Sequence, residues 1–182
     1  MKRTLLLAAA LASLGWIATA RAADPAPDPR LARAKAAAES LRDQLLATVQ
    51  GAMSTSGPAA SLSVCRLAAP ALTTAAERPD LKIGRTASRL RNPDNAPRPW
   101  VAPLLQQLEK QAPAERRPLT TTLPDGSLGV VLPIVMGKPC LACHGVDVAA
   151  DVRAALAVAY PKDAALGFRE GDLRGAFWVE AR

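Results

Sequence analysis

One short stretch near the C-terminal end constrains this chain more than any other. Cys140 is followed three positions later by Cys143, and His144 comes directly after it. C-x-x-C-H is the spacing at which a c-type haem is attached. Two thiols on a tight turn reach the vinyl groups on one porphyrin edge, and the imidazole is then placed to bind the iron. The rest of the chain must therefore supply a pocket and complete the coordination of the iron.

Three other interpretations of the motif fit less well. A thioredoxin-like C-x-x-C follows the first strand of a strand–helix unit, whereas this one lies late in the chain, after Pro139. A zinc site would have to combine Cys65 with the motif. However, Cys143 and His144 are adjacent and point in different directions, unlike the separated ligand pairs of zinc sites. A chance occurrence is disfavoured because c-type haem is attached outside the cytoplasm and the chain has an export signal.

The N-terminus has the features of a secretory signal peptide. Lys2 and Arg3 form a positive start, residues 5–18 are apolar except for Gly15, and small residues at positions 18, 20 and 22 suit cleavage. The apolar run is shorter than the ~20 residues that a membrane-spanning helix needs. We therefore predict a signal peptide over residues 1–22. The mature part, residues 23–182, is expected to be one periplasmic haem-binding domain outside the membrane.

Charge and composition exclude nucleic acid as a partner. The formal net charge of +7 includes Lys2, Arg3 and Arg21, so the mature chain has 20 basic residues against 16 acidic ones. The basic residues are scattered and aromatic residues make up only 3%, whereas nucleic-acid binding needs a concentrated basic surface. The mature length of roughly 160 residues is enough for one domain with a real core.

Hydrophobic periodicity predicts helices in the first half and mainly strands in the second. We expect a helix capped by Asp28-Pro29 that ends before Gly57-Pro58. Two further helices are expected over residues 58–69 and from Pro70 to near Pro79. The later elements expected are a strand at 81–86, a helix at 100–111, a hairpin of strands 119–123 and 128–135, a helix at 148–160 and a strand at 173–179. This order predicts an α+β domain.

The sequence leaves the second axial ligand open. His144 is the only histidine, so a second histidine of the same chain is excluded, and no methionine follows the motif as in common small cytochromes c. Met136 lies four residues before Cys140 and is expected on the proximal side. Met53 lies on an apolar helical stripe, where core packing is expected. A lysine, Cys65 or a vacant position remain as further alternatives.

Cys65 is the odd thiol of an exported chain. Such a cysteine pairs between chains or carries out chemistry, although a small buried hydrophobic role is also common. The adjacent Arg66 would favour a thiolate, and coordination to iron would protect the thiol from oxidation.

Several separate blocks of the chain resemble, in the same order, a family of bacterial and cyanobacterial periplasmic c-type haem proteins with a PAS-like sensor fold. The blocks are residues 63–65, 84–86 with 90–97, 139–145, 160–163 and 167–176, and together they span most of the mature chain. The resemblance implies a PAS-like antiparallel sheet flanked by helices and one covalently attached haem c. It also implies His144 as the proximal and Cys65 as the distal ligand.

Arginines are the expected contacts of the haem propionates. Arg85, Arg89 and Arg91 lie among polar turn residues, where a guanidinium can pair with a carboxylate through two hydrogen bonds. A role in bracing the fold is equally compatible with each of them. For Arg169 and Arg174 we expect a structural role, holding the final loop on the sheet.

Two functional classes follow. The first is a redox or diatomic-gas sensor, in which Cys65 would release the iron on reduction. The second is a simple periplasmic electron carrier with fixed ligands and a redox partner. A haem enzyme such as a peroxidase is disfavoured, because no second histidine and no obvious acid–base pair is present. A four-helix bundle of the cytochrome c′ type is disfavoured by the hairpin and by the strand after the motif.

Overall fold

The structure is a computed structural model that describes residues 28–182. The predicted signal peptide at residues 1–22 lies outside this range. In chain order the elements are α1 (Pro29–Ala75), β1 (Leu81–Thr86), α2 (Val101–Lys110), β2 (Leu119–Thr122), β3 (Leu128–Val135), α3 (Leu141–His144), α4 (Ala150–Ala159) and β4 (Leu173–Ala181). The α+β class is confirmed. Within the described range no helix has the length and hydropathy to cross a membrane.

The four strands form one antiparallel sheet in the order β1-β4-β3-β2. The central strand β4 pairs with both β1 and β3, so Val179 stands opposite Ile83 on one side and Val130 on the other. Because side chains alternate along a strand, these three residues face α1, whereas Val131 and Trp178 face α2. The sheet is thus flanked by helices on both faces, as the PAS-like resemblance implied.

The long helix α1 reverses direction at Gly57, whose φ of 78° and ψ of 168° are not helical. A straight helix of 47 residues would be about 70 Å long. Yet Ala38, before the break, and Ala69, after it, pack into the same core against the sheet. The helix therefore folds back on itself. We call residues 29–56 the outgoing arm and residues 58–75 the returning arm.

Two predictions about this region are confirmed and one is wrong. Asp28 caps the helix by accepting a hydrogen bond from the backbone of Arg30 at 2.8 Å, and the break falls at Gly57. No third helix begins at Pro70, because Pro70 lies inside the returning arm. The other predicted elements are present, with ends that differ by one or two residues.

The end of strand β3 leads directly into the cysteine motif. The register of β3 against β4 shifts between Ile134 and Val135, and the chain then passes through Met136 and a turn of 3-10 helix, Lys138–Cys140, into α3. The loop before β4 closes over this segment. Its backbone is hydrogen-bonded both to His144 and, in both directions, to Met136. The motif is therefore held between the sheet and the final loop.

Candidate functional site

A cavity of about 250 Å³ lies at one end of the sheet, between the arms of α1 and the cysteine motif. Its volume is more than ten times the roughly 10–15 Å³ that a single water molecule requires. Six of the seven site residues predicted from the sequence line it, namely Cys65, Arg85, Arg91, Cys140, Cys143 and His144. The fold thus brings three distant segments of the chain to one place.

The cysteine motif forms one wall of the cavity. Cys140 ends the 3-10 turn, and Cys143 and His144 lie on the single-turn helix α3. Both thiols are half-buried and neither is in a disulfide bond. A glycine is required directly after His144, because a Cβ at Gly145 would lie 2.6 Å from the carbonyl oxygen of Leu141.

The imidazole of His144 is fixed in one orientation and one protonation state. Its Nδ1 lies 2.8 Å from the carbonyl oxygen of Ala165, and since a carbonyl only accepts, Nδ1 must donate. The other ring nitrogen, Nε2, then carries the free lone pair. Burial, followed by the charges of Arg91 and Arg174, lowers the pKa of His144 to about 3. The ring is therefore neutral at physiological pH, as a metal-binding imidazole must be.

Arg91 forms a buried ion pair and also contacts the cysteine motif. Its Nε lies 3.0 Å from Asp163, and the two side chains are only 8% and 6% exposed. Its Nη2 donates to the carbonyl oxygen of Cys143 at 2.6 Å, and its Nη1 lies 3.4 Å from Nε2 of His144. Asp163 also accepts a hydrogen bond from the backbone of Ala165, whose carbonyl holds His144. One connected network therefore positions the histidine.

Cys65 lines the cavity from the returning arm of α1 and is half-buried. Burial raises the pKa of its thiol, and the positive charges of Arg91 and then Arg85 lower it. The expected help from Arg66 is not found, because Arg66 is exposed, does not line the cavity and is not among the charges that shift the pKa of Cys65. The charges that favour a thiolate come from residues that are remote in sequence.

Two cations in the cavity have no acidic partner among the described residues. Arg85 lies on the same face of β1 as the core residue Ile83, and its side chain makes no hydrogen bond within residues 28–182. Burial lowers its pKa. Arg174 also lines the cavity, donates only to the carbonyl oxygen of Arg89, and has a pKa that burial lowers to about 10. A site with two such cations favours an anionic ligand.

Two other arginines singled out in the sequence, Arg89 and Arg169, do not line the cavity. Arg89 is exposed and does not line the cavity; its Nε donates to the carbonyl oxygen of Ala164, and its guanidinium stacks 4.0 Å from the centre of the Phe168 ring. The side chain of Arg169 is exposed. Arg174, expected to hold the final loop on the sheet, instead donates from β4 to the turn at Arg89, and its place in the cavity wall was not predicted.

Three further residues complete the site. The expected core role of Met53 is wrong: the residue is half-buried and lines the cavity. Met136 is 2% exposed and packs beside Cys140 and Phe168. Tyr160, which the sequence analysis did not single out, lines the cavity and lies 6.0 Å from the guanidinium of Arg91. The only indication in the sequence was that Tyr160 begins segment 160–163, one of the segments that resemble the haem-protein family.

Comparisons with known proteins identify the family of the chain. No curated protein matches the chain. Among solved structures, the fold is similar to the crystal structure of the cyanobacterial heme-protein Tll0287, with a TM-score of 0.62 and 26% sequence identity. The match covers 87% of this chain and 96% of that one. The model of the Tll0287-like family matches residues 30–181. The chain therefore belongs to the Tll0287-like family.

Proposed function

We propose that this chain is an exported c-type haem protein that holds one haem in the cavity. Cys140 and Cys143 would form the thioether bonds and His144 would be the proximal axial ligand. One observation carries the proposal: all three residues of the motif and the remote Cys65 line the same cavity. The solved relative that covers most of the chain is itself described as a heme-protein.

The donor groups suit the cofactor. Two unpaired thiols at C-x-x-C spacing are available for covalent attachment, and a neutral imidazole presents Nε2. Binding iron would use the lone pair that Nη1 of Arg91 approaches, while Arg91 would keep its ion pair with Asp163. Bound there, a haem would supply one-electron redox chemistry and a coordination position for a diatomic gas.

We propose Cys65, as a thiolate, for the distal position. The returning arm of α1, a different element from the one that carries the motif, brings it to the cavity. Burial raises the pKa of the free thiol, and the charges of Arg91 and Arg85 partly offset this. Coordination would also explain why a lone thiol is retained in a chain with an export signal, where oxidation threatens it.

Arg85 and Arg174 are the proposed contacts of the two propionates. Each lines the cavity and forms no salt bridge among residues 28–182, and two carboxylates would compensate the charges whose burial lowers their pKa values. Arg91, which the sequence also nominated, already has Asp163 as its partner, and Arg89 lies outside the cavity.

We propose a sensing role in the periplasm, for the redox state or for a diatomic gas. The sensing role is supported by the proposed thiolate ligand, Cys65, together with a cavity that has room for a small ligand beside it. A non-enzymatic role fits the lack of a second histidine. A simple electron carrier is the second candidate. It is favoured by Leu46 and Val135, which line the cavity and are 40% and 48% exposed, so that the cofactor edge would lie near solvent.

Attachment is tested by expressing the full chain together with cytochrome c maturation proteins. After extraction with acidic acetone, the polypeptide should retain one haem, measured by its intact mass and its pyridine haemochrome. The Cys140→Ala/Cys143→Ala protein should lose it. Haem that extracts freely from the unaltered protein, or one zinc per chain in its place, would contradict the proposal.

The two roles are separated by exposing the reduced protein to carbon monoxide. A sensor in which Cys65 leaves the iron on reduction should bind one equivalent of the gas. A carrier with fixed ligands should bind none, and its ferric and ferrous forms should exchange electrons with small redox mediators without a change of ligand.

A further inference from the structure

We propose that Met53 is a second, alternative axial donor in this site. In the ferric protein Cys65 occupies the distal position; in the ferrous protein the Sδ of Met53 takes its place. This inference rests on the proposed haem function, but it assigns a residue that the function leaves unused.

Met53 lies on the stripe of α1 that faces the cavity. Residues four apart lie on the same face of a helix, and five of the six cavity-lining residues of α1 follow this spacing: Leu45, Val49 and Met53 before the break, Ser61 and Cys65 after it; Leu46 is the sixth. The buried core clusters of residues 28–182 do not include Met53. Met53 thus lines the cavity without belonging to a buried core cluster.

The two donors sit on different arms of α1. Met53 lies four residues before Gly57, on the outgoing arm, and Cys65 lies eight residues after it, on the returning arm. The returning arm is anchored on α4 through Leu62, which is 3% exposed. The end of the outgoing arm is not anchored in this way: residues 54–56 are exposed, and a Cβ placed at Gly57 would meet no atom within 4 Å. A loosely packed segment of this kind can shift.

The charges of the two sulfur donors determine which of them each oxidation state of the iron would favour. A thiolate is anionic and stabilises the ferric state. A thioether is neutral, and its pairing with histidine raises the reduction potential, so it stabilises the ferrous state. Cys65, as a thiolate, would hold the oxidised iron. After reduction by an external one-electron donor, Cys65 would be released as a thiol with a proton from solvent, and Met53 would hold the iron through its neutral Sδ.

Met136, the other methionine of the cavity wall, does not fit this role. It is 2% exposed and packs beside Cys140 and Phe168, next to His144. Both its backbone N–H and its backbone carbonyl are hydrogen-bonded to the final loop. It is held on the side of the proximal ligand and provides a matched control.

The test compares the haem-loaded Met53→Leu and Met136→Leu proteins with the unaltered one. Leucine keeps the size and apolar character of methionine but removes the donor. In the unaltered ferrous protein, proton NMR should show one methionine methyl resonance shifted strongly upfield by the haem ring current. Met53→Leu should abolish this resonance and leave the ferric spectrum unchanged. If nine tenths of the ferrous protein is methionine-bound, Met53→Leu should also speed carbon monoxide binding about tenfold. A tenfold loss of ferrous stabilisation would lower the midpoint potential by about 59 mV. Met136→Leu should retain the upfield methyl resonance.

Three results would overturn the inference: no upfield methyl resonance in the unaltered ferrous protein, its persistence in Met53→Leu, or its loss in Met136→Leu. The proposed function fails in a different way. If Cys65→Ser leaves the ferric spectrum unchanged while Met53→Leu alters it, methionine is the resting ligand and the His144/Cys65 pair is wrong. If acidic acetone removes the haem, the attachment itself is wrong.

Discussion

At the scale of single residues, the buried pair of Arg91 and Asp163 supports the segment that carries the cysteine motif. A thiol or an imidazole is recognised by its residue type and spacing, as at Cys140, Cys143 and His144. The residue that braces them, Asp163, lies 72 positions from its partner Arg91, and periodicity contains no information about such a pair. For the same reason the neighbouring Arg66 was assigned a role that the structure gives to Arg91 and Arg85.

The buried ion pair gives the first prediction. Asp163→Asn leaves the guanidinium of Arg91 buried without its counter-charge, and breaking a buried pair in this way typically costs about 3–5 kcal/mol. We expect a free energy of unfolding lower by that amount, measured by urea denaturation of the haem-loaded protein. The control is Asp43→Asn, which removes an exposed pair with Arg42 and should cost less than about 1 kcal/mol. Equal losses in the two variants would show that Arg91 and Asp163 do not brace the site.

A second prediction concerns Arg85. In the haem-free protein its cation is buried without a partner, and burial lowers its pKa, so replacing it removes an unfavourable group. Arg85→Met should therefore raise the melting temperature of the haem-free protein and lower that of the haem-loaded protein, in which a propionate is lost as its partner. Arg66→Met, at an exposed position, should change neither. A change of the same sign in both forms would remove Arg85 from the proposed propionate contacts.

At the scale of elements, the long N-terminal helix shows which structural features can be predicted from local sequence signals. Gly57-Pro58 marked the end of a helix, and the helix breaks there. The reversal of direction was not predictable, because it depends on both arms packing against one sheet. The prediction of a helix start at Pro70 was wrong for a related reason. Proline favours the first turn of a helix. Here, however, packing of the neighbouring Ala69, which is 3% exposed, keeps the helix continuous although Pro70 removes one backbone hydrogen bond.

Two glycines of α1 test the reversal. Gly51 lies inside the outgoing arm with space around it, so Gly51→Ala should stabilise the protein by roughly 0.5–1 kcal/mol, because alanine is the better helix former. Gly57 has a φ of 78° and a ψ of 168°, a conformation that is essentially confined to glycine and costs other residues roughly 1–3 kcal/mol. Gly57→Ala should therefore destabilise the protein although space is equally available. Thermal unfolding monitored by circular dichroism measures both. Stabilisation by both substitutions would mean that α1 does not reverse at Gly57.

At the scale of the whole molecule, the site exists only because distant segments meet. The returning arm of α1, the end of β1 and the motif after β3 are joined at one cavity by the order β1-β4-β3 in the sheet. The order of helical and strand-like segments was enough to predict the α+β class, and the family resemblance was enough to nominate Cys65 and His144, which both line the cavity. They were not enough to predict which cations face the cavity, since that depends on the register of β1 against β4.

The most direct test of the account is the electron paramagnetic resonance spectrum of the ferric, haem-loaded protein, compared with that of Cys65→Ser. The account predicts a low-spin thiolate signal in the unaltered protein. In Cys65→Ser the signal should be lost, while acidic acetone still fails to remove the haem. A Cys65→Ser spectrum identical to that of the unaltered protein would contradict coordination by Cys65.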